Sequence, residues 1–526
     1  MTRTYEFTIS RGYASPDGYN KSVILINNQF PGPLIQANWG DNIEVTVTND
    51  ITTSVPEGVT LHWHGQPQKG TPYYDGVPGV EQCPIAPGKT FTYRFQAESY
   101  GTSWYHSHYS AQYADGVFGP MVIYGPSNAD YDIDIGPVML TDYYHTTYYQ
   151  GLQALYEEPP VFLPTDNNLI NGKMNYNCSL VTDGTACTDN AGVSKFQFVP
   201  GKTHRLRLIN SGSAASQIFQ IDNHTLTVMA LDYVQVEPYD TSVLNLGIGQ
   251  RADVLVTANQ PSGAYWMRTT IDDVNCFPGI IGQPYGLAAI YYTGVDTTDR
   301  PNSVQTPIPD TLGCGNDPLD ETVPFYSLSP PGTPAVTQDL IIDGAVNATG
   351  HLLFYVNNQS FRADYNSPVL LLAQEGNTSY PQDPQWNVYN FGKATSIRLY
   401  IQNNFPTVHP MHLHGHDFWV LATGTGTWDG VITNPDNPIR HDTFLMGPGT
   451  ETAPTYMVIE FNADNPGVWP LHCHIGIHVS AGLYVNVMER PDRITSLLIP
   501  WVNAQTCVDW KAYTAKFAPD QIDSGV

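Results

Sequence analysis

The sequence predicts an all-β protein made of three similar domains in a row, each a β-sandwich or small barrel. Three observations carry that expectation. The chain has 526 residues, enough for three or four domains at about 150 residues each. Charged residues reach only 13% while aromatics reach 12%, with 45 Gly and 42 Pro, a balance that favours strands and turns over surface helices. Two strand-like segments also recur three times along the chain.

The first segment is Gly40–Asn49, and it returns as Lys202–Asn210 and Thr395–Asn403. In each copy apolar and polar residues alternate, which reads as a half-buried strand. The second segment is Gly101–His108, repeated as Gly263–Thr270 and Gly467–His474. The outer copies hold His pairs and the middle copy holds none. Three domains follow, near 1–126, 127–300 and 335–526. Residues 301–334 carry eight Pro and read as a linker. No strong helix signal appears beyond short pieces.

The net charge of −27 and pI near 4.7 argue against nucleic acid or anionic membranes as partners. No apolar run reaches the roughly 18 residues of a membrane helix. Met1 to Ser15 lacks the apolar core of a signal peptide, so the sequence is taken as a mature form. Of the seven Cys, six could form three disulfides and leave one for chemistry. Disulfides need an oxidising compartment. Glycosylation sequons stand at Asn20, Asn177, Asn223, Asn347, Asn358 and Asn377. A secreted, extracellular monomer is the expectation.

Eight of the 16 His form four His-x-His pairs: His62/His64, His106/His108, His412/His414 and His472/His474. On a strand, residues i and i+2 face the same way, so each pair offers two imidazoles to one site. Eight converging imidazoles suit copper or zinc far better than calcium or magnesium. Cys473 lies inside the last pair and points to the opposite face. With His409 and His478 it makes a His₂Cys set, the trigonal donor pattern of a blue-copper electron-transfer site. The weak axial place, ten residues after the Cys, is Leu483, which cannot ligate and should raise the potential. Cys473 thus joins two metal sites through its own backbone, which leads to His472 and His474. Reducing dioxygen to water takes four electrons, which a store of four one-electron coppers would supply.

These blocks resemble the multicopper oxidase family: LHWHG at 61–65, WYHSH at 104–108, HPMHLHGH at 409–416 and HCHIGIH at 472–478, then Gly482-Leu483. The resemblance covers nearly the whole chain and is strongest to ascomycete fungal laccases. It implies three cupredoxin-like Greek-key domains and four copper ions. His62 and His412 would hold the type 2 copper. His64, His106, His108, His414, His472 and His474 would hold the type 3 pair. His409, Cys473 and His478 would hold the type 1 copper. The implied reaction is oxidation of phenols or aromatic amines near His478 and His409, coupled to reduction of dioxygen. The family pattern also implies Cys83–Cys507 and Cys276–Cys314, leaving Cys178 with Cys187. The ending Asp523-Ser-Gly-Val526 is similar to a C-terminal plug in the channel to the trinuclear cluster.

Asp75 resembles the family's acid beside that cluster, able to tune or relay protons; an Asp-Gly turn is the other reading. His145, His416 and Asp417 read as structural. Two departures stand out. Gly476 occupies a place where many relatives carry a carboxylate or Ala, followed by Ile477 where Trp is usual. The domain-two stretch Asn210–Phe219 holds no acid, and Ser216 aligns nearest to the family's pocket carboxylate. The alternatives are a metal-ion oxidase, an ascorbate or bilirubin oxidase, or a copper-storage protein without catalysis. A metal-ion oxidase would need carboxylates near the type 1 site, and storage would need no His-Cys-His link.

Overall fold

The computed structural model describes every residue except 53–56, 273–275, 278–281, 310–311, 518, 520 and 525–526. Each copy of the first recurring segment becomes a central strand, paired in parallel with the strand that opens its domain. In domain one, Asn42–Asn49 lies between Thr2–Ala14 and the antiparallel Thr90–Gln96. In domain two, Thr203–Asn210 lies between Ile133–Tyr143 and Arg251–Thr257. In domain three, Ser396–Asn403 lies between Val336–Val346 and Thr455–Asn462. The second segment supplies a strand of the facing sheet each time: Gly101–His106, Ala264–Thr270 and Gly467–Cys473. Each domain is therefore a two-sheet Greek-key sandwich, and domains two and three repeat one strand order through both sheets. The all-β, cupredoxin-like fold class holds.

One strand departs from the half-buried expectation. Asn42–Asn49 alternates buried and less buried residues, whereas Thr203–Asn210 is buried from His204 onward. Domain one covers its outer face. Arg207 donates to Thr102 Oγ1 at 3.0 Å and pairs with Asp134 at 2.7 Å. Thr102 donates to Asp253 at 2.5 Å, and Asp253 also pairs with Arg205. The polar half of the strand's pattern serves ion pairs within domain two and hydrogen bonds to Thr102 of domain one rather than solvent.

The Pro-rich stretch lies along domains two and three. Glu237 N donates to Val323 O at 2.8 Å, and Asn316 donates to Leu445 O at 2.8 Å. The 14-residue helix Trp501–Thr514 goes beyond the short helices expected. It returns to domain one, where Asn503 donates to Tyr73 O at 2.8 Å and Trp510 is fully buried. Three disulfides close: Cys83–Cys507, Cys178–Cys187 and Cys276–Cys314. Val468, Val479 and Tyr484 of domain three join the core of domain one, so the two outer domains meet through an apolar interior.

Candidate metal centre

The four His pairs sit where the second sheets of domains one and three face each other. Within domain one, His62 pairs across strands with His106. Within domain three, His412 pairs with His472 and Met411 with Cys473. Strand pairing thus sets the imidazoles of each domain side by side, and the domain interface closes them into one buried cluster. His412 Nε2 lies 3.5 Å from His62 Nε2. His472 Nε2 lies 3.1 Å from His414 Nε2 and 3.3 Å from His108 Nε2. Three trios have ring nitrogens within 4.8 Å of one another: His62, His64 and His412; His64, His106 and His474; His108, His414 and His472.

The far nitrogens are held by the chain, which turns the near ones inward. His62 Nδ1 lies 2.9 Å from Asp75 O, and His412 Nδ1 lies 2.8 Å from Asp442 O. His414 Nδ1 lies 2.6 Å from Asp75 Oδ2, whose partner oxygen is 3.3 Å from His62. Several buried ring nitrogens are left without hydrogen bonds: His64 Nδ1 and His106 Nε2, each opposite a nitrogen that the chain holds, His108 Nδ1, and both nitrogens of His474. Orphaned lone pairs at such depth are costly, and a metal that takes imidazole donors satisfies them. Burial holds His64, His106, His108, His412, His414 and His474 well below the usual histidine value, and His472 at about 4. Neutral rings are the ligating form.

On the other face of Gly467–Cys473, Cys473 Sγ lies 3.6 Å from both His409 Nδ1 and His478 Nδ1, which are 3.2 Å apart. Burial pushes the Cys473 thiol up and lowers His409 and His478, the latter to about 3. The three disulfides leave Cys473 as a free, buried thiol. Leu483 is fully buried; its N–H donates to His478 O at 3.0 Å, and its carbonyl accepts from Cys473 N at 3.2 Å. Phe354 packs on His478 with ring centroids 4.5 Å apart.

His478 also lines a largely apolar cavity with Tyr144, Tyr148, Leu152, Leu155 and Phe162. Gly476 and Ile477 lie in its wall, and Gly476 N donates to Ser213 O at 2.8 Å. Ser216 is buried but is not among the lining residues; Ser213 and Ala214 are. Two acids near this wall escaped the sequence reading. Asp115 lines it, held by Lys21 at 2.9 Å. Asp142 accepts the N–H groups of Ser213, Ala214 and Ala215 at 2.8, 2.8 and 2.9 Å. Both reach the cavity through pairings distant in sequence, which no local pattern signals.

The remaining expected positions are structural or peripheral. His145 lies 2.8 Å from Asp17 and stacks on Tyr19, and His416 lies 3.4 Å from Glu489. Asp523 accepts from Ser110, and Ser524 N donates to Ser480 O at 2.8 Å, beside the cluster's domain-one wall. Gly525 and Val526 lie outside the described residues. Asn177, Asn223, Asn358 and Asn377 are exposed, while Asn20 and Asn347 are partly so.

Three multicopper oxidase family matches cover residues 8–128, 134–292 and 346–493. The chain is 38% identical to laccase-2 of Botryotinia fuckeliana, over all of this chain and 89% of that protein. It is 34% identical to dihydrogeodin oxidase of Aspergillus terreus, over 99% and 90%. Its structure resembles the laccase from Botrytis aclada with TM-score 0.89 and 36% identity, covering 100% and 95%. It also resembles Fet3p, a multicopper oxidase that functions in iron import, with TM-score 0.83 and 27% identity, covering 97% and 95%.

Proposed function

The chain belongs to the multicopper oxidase family, and from that premise we propose which residues carry the oxidation of small aromatic donors and the reduction of dioxygen. It is a laccase-type, copper-binding oxidoreductase. Four single-electron oxidations of phenols or aromatic amines supply the electrons that, with four protons, turn one dioxygen into two waters. The carrying observation is the closed donor set: eight buried imidazoles on one side of a strand and a His₂Cys set on the other.

In this reading four coppers are held. His62 and His412 take one. His64, His106 and His474 take a second, and His108, His414 and His472 a third. Cys473, His409 and His478 would hold the fourth, with the buried, non-ligating Leu483 bonded through its backbone to Cys473 and His478. Bound copper supplies reversible one-electron chemistry at each position. The chain does the rest. His478 lines the donor cavity, so its ring edge is where a donor makes contact. Cys473 leads through its backbone to His472 and His474, placing both centres on one strand. Asp75 orients His62 and His414 and is placed to hold a proton beside them.

The cavity favours a neutral aromatic donor. Asp115 is already paired with Lys21, and Asp142 spends its oxygens on backbone N–H groups. A metal-ion donor, the reading that likeness to Fet3p would favour, finds no open carboxylate among the described lining residues. Secretion is supported by the three disulfides and by sequon asparagines that all reach solvent. The molecule is taken to act as a monomer.

The test is oxygen uptake with a phenol, ferrous iron and ascorbate, beside a visible spectrum. A blue protein that consumes oxygen fastest with the phenol is expected. Cys473→Ser should lose colour and turnover, while His62→Ala should keep the colour and stop reducing oxygen. Full oxygen consumption by His62→Ala would overturn the ligand assignment.

A further inference from the structure

We propose that the middle domain, which contributes none of the imidazoles, positions His64 and His474 through three consecutive residues, Gly249, Gln250 and Arg251. The inference rests on the copper reading above and goes beyond it, because it assigns a role at the cluster to a domain without ligands.

The three residues enter the cluster as a rigid turn at the head of the strand Arg251–Thr257. Gly249 N donates to Asn210 O at 2.9 Å, and Gln250 N donates to Gly247 O at 3.1 Å. Gly247 N in turn donates to the Gln250 side chain at 2.7 Å. Each residue then reaches a different part of the site. Gly249, at φ +86°, lies flat against two imidazoles: a methyl group there would stand 2.9 Å from His474 Cδ2 and 3.0 Å from His64 Cε1. Gln250 donates to Thr443 O at 3.1 Å. Arg251, fully buried, grips Asp442 with both terminal nitrogens at 2.6 Å and also lies 3.1 Å from Asp232.

Asp442 is the relay. Its Oδ1 lies 3.1 Å from His64 Nε2, and its carbonyl lies 2.8 Å from His412 Nδ1. Thr443 Oγ1 lies 3.0 Å from His64 Nε2 and donates to Asp442 Oδ1 at 3.0 Å. A carboxylate fixed in place by a two-pronged guanidinium keeps the His64 proton on Nε2, which leaves Nδ1 as the lone pair facing His106 and His474. Gly249 limits how far the same ring and His474 can tilt. Arg251 is thus a positioning residue acting through Asp442, and Gly249 a steric stop.

A matched pair of glycines separates positioning from general damage. Gly136, also in domain two, has φ +85° and nothing within 4 Å of the site of an added methyl. Gly136→Ala and Gly249→Ala therefore carry the same backbone strain, and only the second presses on the imidazoles. The holoenzymes would be titrated with a copper chelator while bound copper per chain and the blue colour of the Cys473 site are followed. Gly249→Ala should release copper at roughly 10–100-fold lower chelator strength with the blue colour kept, and Gly136→Ala should match the wild type. Arg251→Lys keeps the charge but cannot hold both Asp442 oxygens, so it should behave as Gly249→Ala does. Gly249→Ala and Arg251→Lys that both retain copper as Gly136→Ala does would overturn the positioning role alone. Loss of the blue colour in step with the remaining copper would also overturn it, since a collapsed interface, not a shifted ring, would then be the cause. Wild-type protein that holds no copper would overturn both this role and the reading beneath it.

Discussion

Among single residues, Asp417, three positions after His414, ties the fold's stability to pH. Its Oδ1 is buried without a hydrogen-bond partner. Burial, then the charge of Asp442, push its carboxyl up to about 7, against the pull of Arg251 and Arg440. An unfolded Asp loses its proton near pH 4. The folded chain therefore keeps a proton that the unfolded chain gives up between about pH 4 and 7. Stability from this group is complete below that window and is lost as pH rises through it. Asp417→Asn, neutral throughout, should gain on the wild type between pH 5 and pH 8 by on the order of 3 kcal/mol. Calorimetric melting at both pH values checks this, and two parallel curves would refute it. The sequence marked Asp417 as structural but carried no sign of its charged neighbours. The ligand candidates were legible because His-x-His spacing maps directly onto one strand face. Asp442, Arg251, Asp115 and Asp142 were not, because each meets its partner only at long sequence separation.

At the scale of elements, the recurring strands were legible from alternation alone, yet alternation says only that two faces differ. In Thr203–Asn210 the polar face is as buried as the apolar one, since Arg205 and Arg207 meet carboxylates and Thr102 instead of water. The helix Trp501–Thr514 was illegible for a related reason. Its buried residues, Asn503, Thr506 and Trp510, are mostly polar, so no apolar stripe announces it. A shorter helix, Tyr148–Leu155, does carry a local signal. Thr147 caps it, and a capping box joins Thr147 to Gln150. Tyr148, Leu152 and Leu155 from this helix face the donor cavity. Thr147→Ala should cost the helix about 1 kcal/mol and loosen that wall. The expected result is a raised KM for bulky phenols with little change in kcat or in blue colour. An unchanged KM would mean the wall is held by packing alone.

For the whole molecule, the three domains divide the work unevenly. The outer two supply the clustered imidazoles and the thiol, and the middle one helps close the apolar cavity beside His478 through Ser213 and Ala214. The sequence showed this division in the His pairs missing from the middle repeat, but not how the domains would lie against one another. The molecule as a whole also carries one further property that no single site does, a formal charge of −27. Such a field attracts cations and repels anions over the Debye length, which shrinks from about 30 Å at 0.01 M salt to about 10 Å at 0.1 M. The donor cavity itself is mostly apolar, and its lining carboxylate is paired with Lys21. Charge should therefore act on the approach of a donor and not on its seating. Raising salt across that range should lower kcat/KM several-fold for a cationic aromatic amine, raise it for a sulfonated phenol, and leave a neutral phenol unchanged. The kcat values should stay flat for all three, because a seated donor no longer feels the screened field. Three donors that shift together would place the salt effect on the protein itself, and a shift in kcat would place it at the cavity wall.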